Sequence, residues 1–376
     1  MIAAISYSFL QEYWWAIISL LGSLLVFLMF VQGGQSLLYT IGKTELQRTM
    51  LVNTLGRKWE FTFTTLVTFG GAFFASFPLF YATSFGGAYW VWIGILISFI
   101  LQAVSYEYRT KPANILGTKT FEVFLIINGL LGTILIGTAV GTFFNGAQFS
   151  LNEYNQVTWQ TPWRGLEAVL TFHNVALGLS VFTLSRVLAL QYFMNTIDND
   201  EIVARSKKHI WNNTIAFLVF FLYFVGWLCL KSGLTYNPET MVVDVERFKY
   251  FHNLIQMPAV LIIFLAGVVL VLFGIYNDLF RKQGKGIWFS GAGTILTVFA
   301  LFLLAGYNNT CYYPSIYDHQ SSLNIRNSSS SEFTLTVMSY VSLLIPFVVA
   351  YIWIAWKSIN NKKIDKSEME GNSHKY

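Results

Sequence analysis

Nine stretches of the chain are apolar on every side for the length of a bilayer crossing, and the polar links between them are mostly short and basic. They run Trp14–Leu38, Phe61–Tyr81, Tyr89–Ser105, Thr120–Phe143, Trp163–Tyr192, Asn212–Leu230, Gln256–Phe280, Ile287–Tyr307 and Phe333–Trp356. About 20 residues at a rise of about 1.5 Å cover a hydrocarbon core of about 30 Å, so each stretch predicts a transmembrane helix. Strands of a membrane barrel would alternate over runs of about ten residues. In lipid, an open chain satisfies its backbone groups within the segment, which leaves the helix. The pattern therefore predicts an all-α polytopic membrane protein, with residues 1–357 as one transmembrane helical domain.

The links also carry an orientation. One side of the membrane collects Lys43, Arg48, Arg57, Lys58, Arg109, Lys111, Lys119, Arg205, Lys207, Lys208, Arg281, Lys282 and Lys285, together with the lysines of the tail. The other side receives Arg164, Lys231, Arg247, Lys249 and Arg326, while Arg186 lies within a span. Basic links stay cytoplasmic, so the N-terminus is expected outside and the C-terminus inside a bacterial inner membrane. An even number of spans would break this alternation. The outer links Asn145–Pro162 and Asn308–Glu332 are long and polar. The tail, residues 358–376, is charged and without apolar period, and disorder is expected there. Met1–Gln11 has no Lys or Arg, and no small-residue cleavage pattern follows the first apolar run, so the first span is expected to be retained.

Composition narrows the class. Of 376 residues, 55% are hydrophobic and 11% charged, where a soluble domain carries about 25% charged residues. Too few charges remain to cover a wetted surface. The net charge of +5 does not indicate nucleic acid, because the basic residues are spread over short loops. Two cysteines, Cys229 and Cys311, exclude a disulfide scaffold, and two free thiols are expected.

Chemistry-bearing groups are few. Of five histidines, His173 alone lies inside a span, and no Glu-x-x-His pair accompanies it. A helix-packing role is expected for it, and no haem or metal site built by this chain alone. Glu60, Glu107 and Glu122 fall at the cytoplasmic ends of the second, third and fourth spans, beside Lys58, Arg109 and Lys119. Such carboxylates are either interfacial charges or a proton entrance. Glu167 and Arg186 fall in the fifth span, where a structural role is expected. Gly33-Gly34, Gly70-Gly71, Gly86-Gly87 and Gly129-x-x-Gly132 mark close helix approach. No phosphate loop, nucleophile elbow or dinucleotide fingerprint occurs.

Local strings carry the reading further. Trp14-Trp15, Ile41-Gly42-Lys43, Glu45, Arg48-Thr49-Met50, Asn53-Thr54, Trp59-Glu60, the run Gly70–Tyr89 and Tyr106-Glu107-Tyr108-Arg109-Thr110-Lys111 resemble the N-terminal half of subunit II of the cytochrome bd-type quinol oxidases. Tyr313-Pro314-Ser315, Ser321-Ser322-Leu323 and Ser328–Met338 resemble that family's last outer loop and final span. Two departures stand out. The family's acidic first-span motif is replaced by Val31-Gln32-Gly33-Gly34, and its Trp-Asp-Gly-Asn motif by Trp59-Glu60-Phe61-Thr62.

The resemblance implies two four-helix bundles plus one further helix, and Trp59 and Arg109 as motif positions. It also implies a haem-free subunit beside a subunit I that carries haems b and d and the quinol site. A structural quinone or lipid and a small single-helix accessory subunit are further candidate partners. The complex so implied oxidises quinol, reduces dioxygen to water and draws its protons from the cytoplasm. The competing expectation is a secondary transporter, which mid-membrane charges on broken helices would favour.

Overall fold

The computed structural model describes residues 6–281 and 284–366. Its helices in chain order are α1 (Tyr7–Leu28), α2 (Phe30–Gln35), α3 (Leu38–Ile41), α4 (Glu45–Gly56), α5 (Trp59–Ser76), α6 (Pro78–Phe80), α7 (Tyr89–Tyr108), α8 (Thr118–Asn145), α9 (Leu166–Val169), α10 (Phe172–Thr196), α11 (Asp200–Leu230), α12 (Lys249–Gln256), α13 (Pro258–Tyr276), α14 (Gly286–Gly306), α15 (Ile325–Ser328), α16 (Glu332–Ser342) and α17 (Ile345–Ile359). Among the described residues, seven helical segments are long and apolar enough to cross a membrane, or up to nine if each of two bent pairs counts as one span.

The run α1–α2, with α5, α7 and α8, forms one set of packed helices; α10, α11, α13 and α14 form the other. Helix α10 bridges the two sets by packing on α8 and α2, and α1 does so by packing on α14. The α16–α17 pair is the further helix. Its inner half is loosely attached: Phe347, Tyr351, Trp353 and Ile354 are exposed and Trp356 alone in α17 is buried.

Four spans differ from the sequence pattern, each for a local reason. The second ends at Ser76, because Pro78 lacks an N–H and its ring cannot share a turn with the carbonyl four residues back. The chain bends by 117° there and continues through α6 and a π-helical turn, Tyr81–Gly86. The fifth helix begins at Phe172 and not at Trp163. Arg164 (φ 41°) and Gly165 (φ 88°) lie in the left-handed region and separate off α9. Glu167 consequently belongs to the short α9 and not to the long helix, and its carboxylate accepts from Thr161 Oγ1 at 2.8 Å and from the Gly165 amide at 3.1 Å. The sixth helix starts at Asp200, capped by Asn199, so Arg205, Lys207 and Lys208 ride on a helical extension. The last span bends by 41° at Leu343–Leu344, just before Pro346.

The long polar links are folded. Two antiparallel hairpins, Phe149–Leu151 with Val157–Trp159 and Gly233–Tyr236 with Val243–Glu246, are the strands in an otherwise helical chain. Segment 310–325 joins them through bridges Ala147–Ser315, Thr235–Thr310 and Tyr313–Leu323. Within it Tyr312 packs on Trp15 with ring centres 4.3 Å apart and planes tilted by 38°, and the Trp15 indole N–H donates to the Phe302 carbonyl at 3.0 Å. Arg326 then ties this cap to the first helix, donating to the Ser8 carbonyl and Gln11 Oε1, both at 2.8 Å, and pairing with Glu12.

Both cysteines are free. Cys311 is packed against Leu234, Tyr236 and Val243, and burial pushes its thiol up to about 12. The tail is not loose at its start. Ile364 is 2% exposed, donates to the Thr196 carbonyl and accepts from the Asp198 amide, both at 2.9 Å. The rest of the tail expected to be disordered, residues 367–376, lies outside the described residues.

Candidate functional site

The second turn of α8 places Glu122 inside one end of the first helix set, with its side chain 1% exposed. A carboxylate there requires cations, and two arrive from different elements. Arg109, the C-cap of α7, donates through Nη2 to Oε1 at 2.8 Å, and Arg48 of α4 through Nε to Oε2 at 3.1 Å. Tyr39 of α3 adds its hydroxyl to Oε2 at 2.7 Å. Arg109 also stands at a helix C-terminus, where a cation complements the backbone dipole.

A polar column continues from this cluster into the membrane. Ser98, Gln102, Tyr106 and Arg109 recur along α7 at spacings that keep them on one buried face. At about 1.5 Å per residue the stripe extends about 16 Å. Gln32 and Gln35 of α2 both donate to Gln102 Oε1, at 2.6 and 2.8 Å, and Gln35 also donates to the Tyr106 hydroxyl at 3.0 Å. All three glutamines are fully buried. Two amides converging on one acceptor leave Gln32 Oε1, Gln35 Oε1 and Gln102 Nε2 without protein partners, as is Asn128 Oδ1 on α8. Buried polar atoms of this kind are usually satisfied by ordered water. Above Glu122 the column consists of amides and hydroxyls and holds no carboxyl, imidazole or ammonium group.

Glu60 and Glu107 sit differently. Glu107 is exposed and paired with Lys111 one turn on, at 3.0 Å, a surface contact of small worth. Glu60 is exposed in the first turn of α5, in a groove of about 760 Å³ that it shares with Arg57 and with Tyr351 of α17. The two helix ends meet where Trp59 stacks on Tyr106 at 5.7 Å. Lys58 beside them is fully buried, its ammonium 4.2 Å from the Trp356 ring centre and 5.6 Å from that of Phe61. Of the three candidate carboxylates, then, one is a buried, doubly paired anchor and two are surface charges.

His173 is engaged by aromatic neighbours. It stacks on Trp227 at 4.2 Å, and its Nδ1 shares a hydrogen bond with the Tyr223 hydroxyl at 2.6 Å. Among the outer histidines, His252 contacts Glu246 at 2.8 Å. Burial pushes that carboxyl up, but hydrogen bonds from His252 and Lys249 outweigh it and hold it below its usual range. Among the described residues no group of three or more His, Cys, Asp or Glu side chains could hold a metal ion. Between α1, α10, α11, α13 and α14 lies an apolar cavity of about 330 Å³, lined by Val26, Leu177, Phe221, Val271 and Leu301 among others.

Two features have no prominence in the sequence. Gln35, Gln102 and Asn128 are neutral and escape a search for ionisable groups, although the spacing Ser98, Gln102, Tyr106 on one helix face would have found the column. Asp278, the second buried carboxyl, closes an apolar run beside basic residues and passes for an interfacial charge.

Known proteins supply the context for this arrangement. The sequence profile of the family described as cytochrome bd terminal oxidase subunit II matches residues 10–359. A curated relative from Haemophilus influenzae, "Probable cytochrome oxidase subunit 2", is 29% identical over 384 residues, covering 98% of this chain and 99% of its own. "Cytochrome bd-I ubiquinol oxidase subunit 2" of Escherichia coli K12 is 26% identical over 387 residues with the same coverage. "Cytochrome bd ubiquinol oxidase subunit 2" of Bacillus subtilis is 26% identical over 321 residues, covering 83% of this chain and 85% of its own. Among solved structures, a chain from the bd oxidase of Geobacillus thermodenitrificans superposes with a TM-score of 0.63 at 11% identity, covering 93% of this chain and 98% of that one. That likeness is one of fold.

Proposed function

The chain belongs to the cytochrome bd terminal oxidase subunit II family, and from that premise we propose that it is the haem-free half of a membrane quinol:dioxygen oxidoreductase. A member of this family is a subunit of a quinol oxidase complex, which removes the support for a secondary transporter. The observation that carries the haem-free assignment is the state of His173. Its ring is stacked on Trp227 and its Nδ1 is bonded to Tyr223, and no second intramembrane histidine stands with it. Haems b and d belong, in this reading, to the partner subunit I. His173→Ala should leave the haem absorption bands of the assembled complex unchanged. Loss of one band with assembly intact would place a haem ligand in this chain.

The subunit's own work is mechanical and electrostatic. The Glu122–Arg109–Arg48 cluster and the glutamine column fix α2, α4, α7 and α8 to one another at the cytoplasmic side, with the N-terminus outside and the tail inside. The apolar cavity suits the isoprenoid tail of a structural quinone or a lipid acyl chain, since its lining offers little to a polar headgroup. The loosely held α17 leaves an apolar face for a single-helix accessory subunit.

Protons for dioxygen reduction reach the column through its inner mouth, where Glu60, Glu107 and Glu122 are the acidic groups. Glu122 is held by two arginines, so proton collection falls to the exposed Glu60 and Glu107, with Trp59 and Arg109 framing the mouth. Glu60→Gln should lower oxygen consumption several-fold at unchanged haem content. Unaltered turnover in an assembled complex would reduce Glu60 to an interfacial charge.

A further inference from the structure

Among the described residues two carboxyl groups are buried, Glu122 and Asp278. Glu122 has two arginine partners. Asp278 is fully buried, and among the described residues it forms no ion pair. It lies in a five-residue π-helical turn, Asn277–Arg281, that prolongs α13 at its inner end. Single π turns within α-helices recur at functional sites because the extra residue re-aims a side chain.

The carboxyl is aimed inward. Oδ1 accepts from the Gly286 amide at the start of α14, at 3.0 Å. Oδ2 has no partner. Gly286 leaves the room for it, since a Cβ there would lie 2.2 Å from Oδ2. The side chain that faces Asp278 from α10 is Gln191, itself fully buried with both amide atoms unpartnered. On the adjoining α11, to which the π turn packs, Ser206 is buried and its hydroxyl is unpartnered. Among the described residues no charged group on the surrounding elements, Arg281 of the same turn included, forms an ion pair with Asp278. Arg186 of α10 lies over the Phe182 ring, and Arg205 of α11 bonds Gln47 and Glu201. Lys207, Lys208 and His209 of α11, and Lys285 before α14, make no ion pair with Asp278.

A bare carboxylate so placed would lack the counter-charge that burial demands. One helix N-terminus offers it a single N–H, a smaller effect than taking the charge out of water. The carboxylic acid meets the geometry without that cost: Oδ1 accepts from Gly286, and a hydroxyl on Oδ2 faces the Gln191 amide, which accepts it once its oxygen is turned that way.

We propose that Asp278, with Gln191, is a proton-binding site in the second helix set, loaded from the cytoplasmic side. In loading, hydronium at the inner face transfers its proton to Oδ2, an O–H bond forms and water is left; release reverses the step. In the first helix set the column above Glu122 holds amides and hydroxyls, and Glu122 is held by two arginines, so among the described residues Asp278 is the buried carboxyl without a cationic partner. The proposal rests on the oxidase reading only for the demand for protons, and its test needs no turnover.

Infrared spectra of the assembled complex in H₂O and D₂O decide it. The expected result is a carboxylic-acid C=O band that shifts in D₂O and is lost in Asp278→Asn. Gln191→Leu should keep the band and move it to higher frequency, because the acid loses its acceptor. Identical carboxylic-acid bands in wild type and Asp278→Asn would overturn the site, and a band that ignores D₂O would overturn its access to water. Should Asp278→Asn fail to assemble, an unmoved band in Gln191→Leu would overturn it equally. None of these outcomes depends on whether the complex consumes oxygen.

Discussion

Glu122→Leu should prevent accumulation of the assembled complex or lower its thermal midpoint by many degrees. The substitution leaves Arg109, 1% exposed, and Arg48, 14% exposed, without their shared counter-charge. Breaking one side of a buried pair in this way costs about 3–5 kcal/mol, because a desolvated charge is left uncompensated. That is a large share of the roughly 5–15 kcal/mol that separates folded from unfolded domains. Tyr39 also loses the acceptor for its hydroxyl. The double variant Glu122→Leu/Arg109→Leu should recover part of the loss, since the deeply buried pair is then removed together and only the more exposed Arg48 is left without its counter-charge. Thermal unfolding of purified complexes measures both, and equal midpoints for Glu122→Leu and wild type would remove the cluster from the account.

Gly33→Val should be at least as damaging, through packing alone. A Cβ at Gly33 would stand 2.2 Å from the Ser185 carbonyl oxygen and 2.6 Å from the Arg186 amide nitrogen, both backbone atoms of α10. Backbone cannot swing aside as a side chain can, so α2 and α10 would have to separate. Overpacking of ordinary cores costs about 1–3 kcal/mol, and a helix–helix contact built on backbone approach belongs at the upper end or beyond. Separation would also pull Gln32 from Gln102. The matched control is Gly71→Ala, where a Cβ meets nothing within 4 Å. There the variant should be neutral or slightly stabilised, as Ala is favoured over Gly in a helix by about 0.5–1 kcal/mol. Size-exclusion profiles and haem content of the two variants give the comparison; equal losses would mean that close approach at Gly33 is not what holds these helices.

These two glycines also show where the sequence stops informing. Gly33-Gly34 and Gly70-Gly71 look alike as small-residue pairs, yet one meets the backbone of α10 and the other faces open space, a distinction that belongs to tertiary placement. The spans themselves were legible because lipid enforces one solution, a helix, on any long apolar run. Their ends were less so. Pro78 and Gly165 were visible as breakers, but hydropathy averages over them and carried the second span to Tyr81 and the fifth back to Trp163. Glu122 was legible as a carboxylate near bases, but not as the one with two arginine partners, because Arg48 reaches it from 74 residues away. The glutamine column and Asp278 needed the fold: the first is uncharged, and the second lies beside Arg281 in the chain while its side chain turns inward.

The central claim, that this chain is a haem-free subunit acting beside a haem-bearing partner, is tested most directly by affinity purification from its native membranes with haem quantified against each polypeptide. The account predicts a second membrane subunit in equal amount, with all haem absorbance following that subunit, and a colourless product when this chain is expressed and purified alone. Haem recovered in stoichiometric amount with the isolated chain, or a native preparation without a haem-bearing partner, would contradict it.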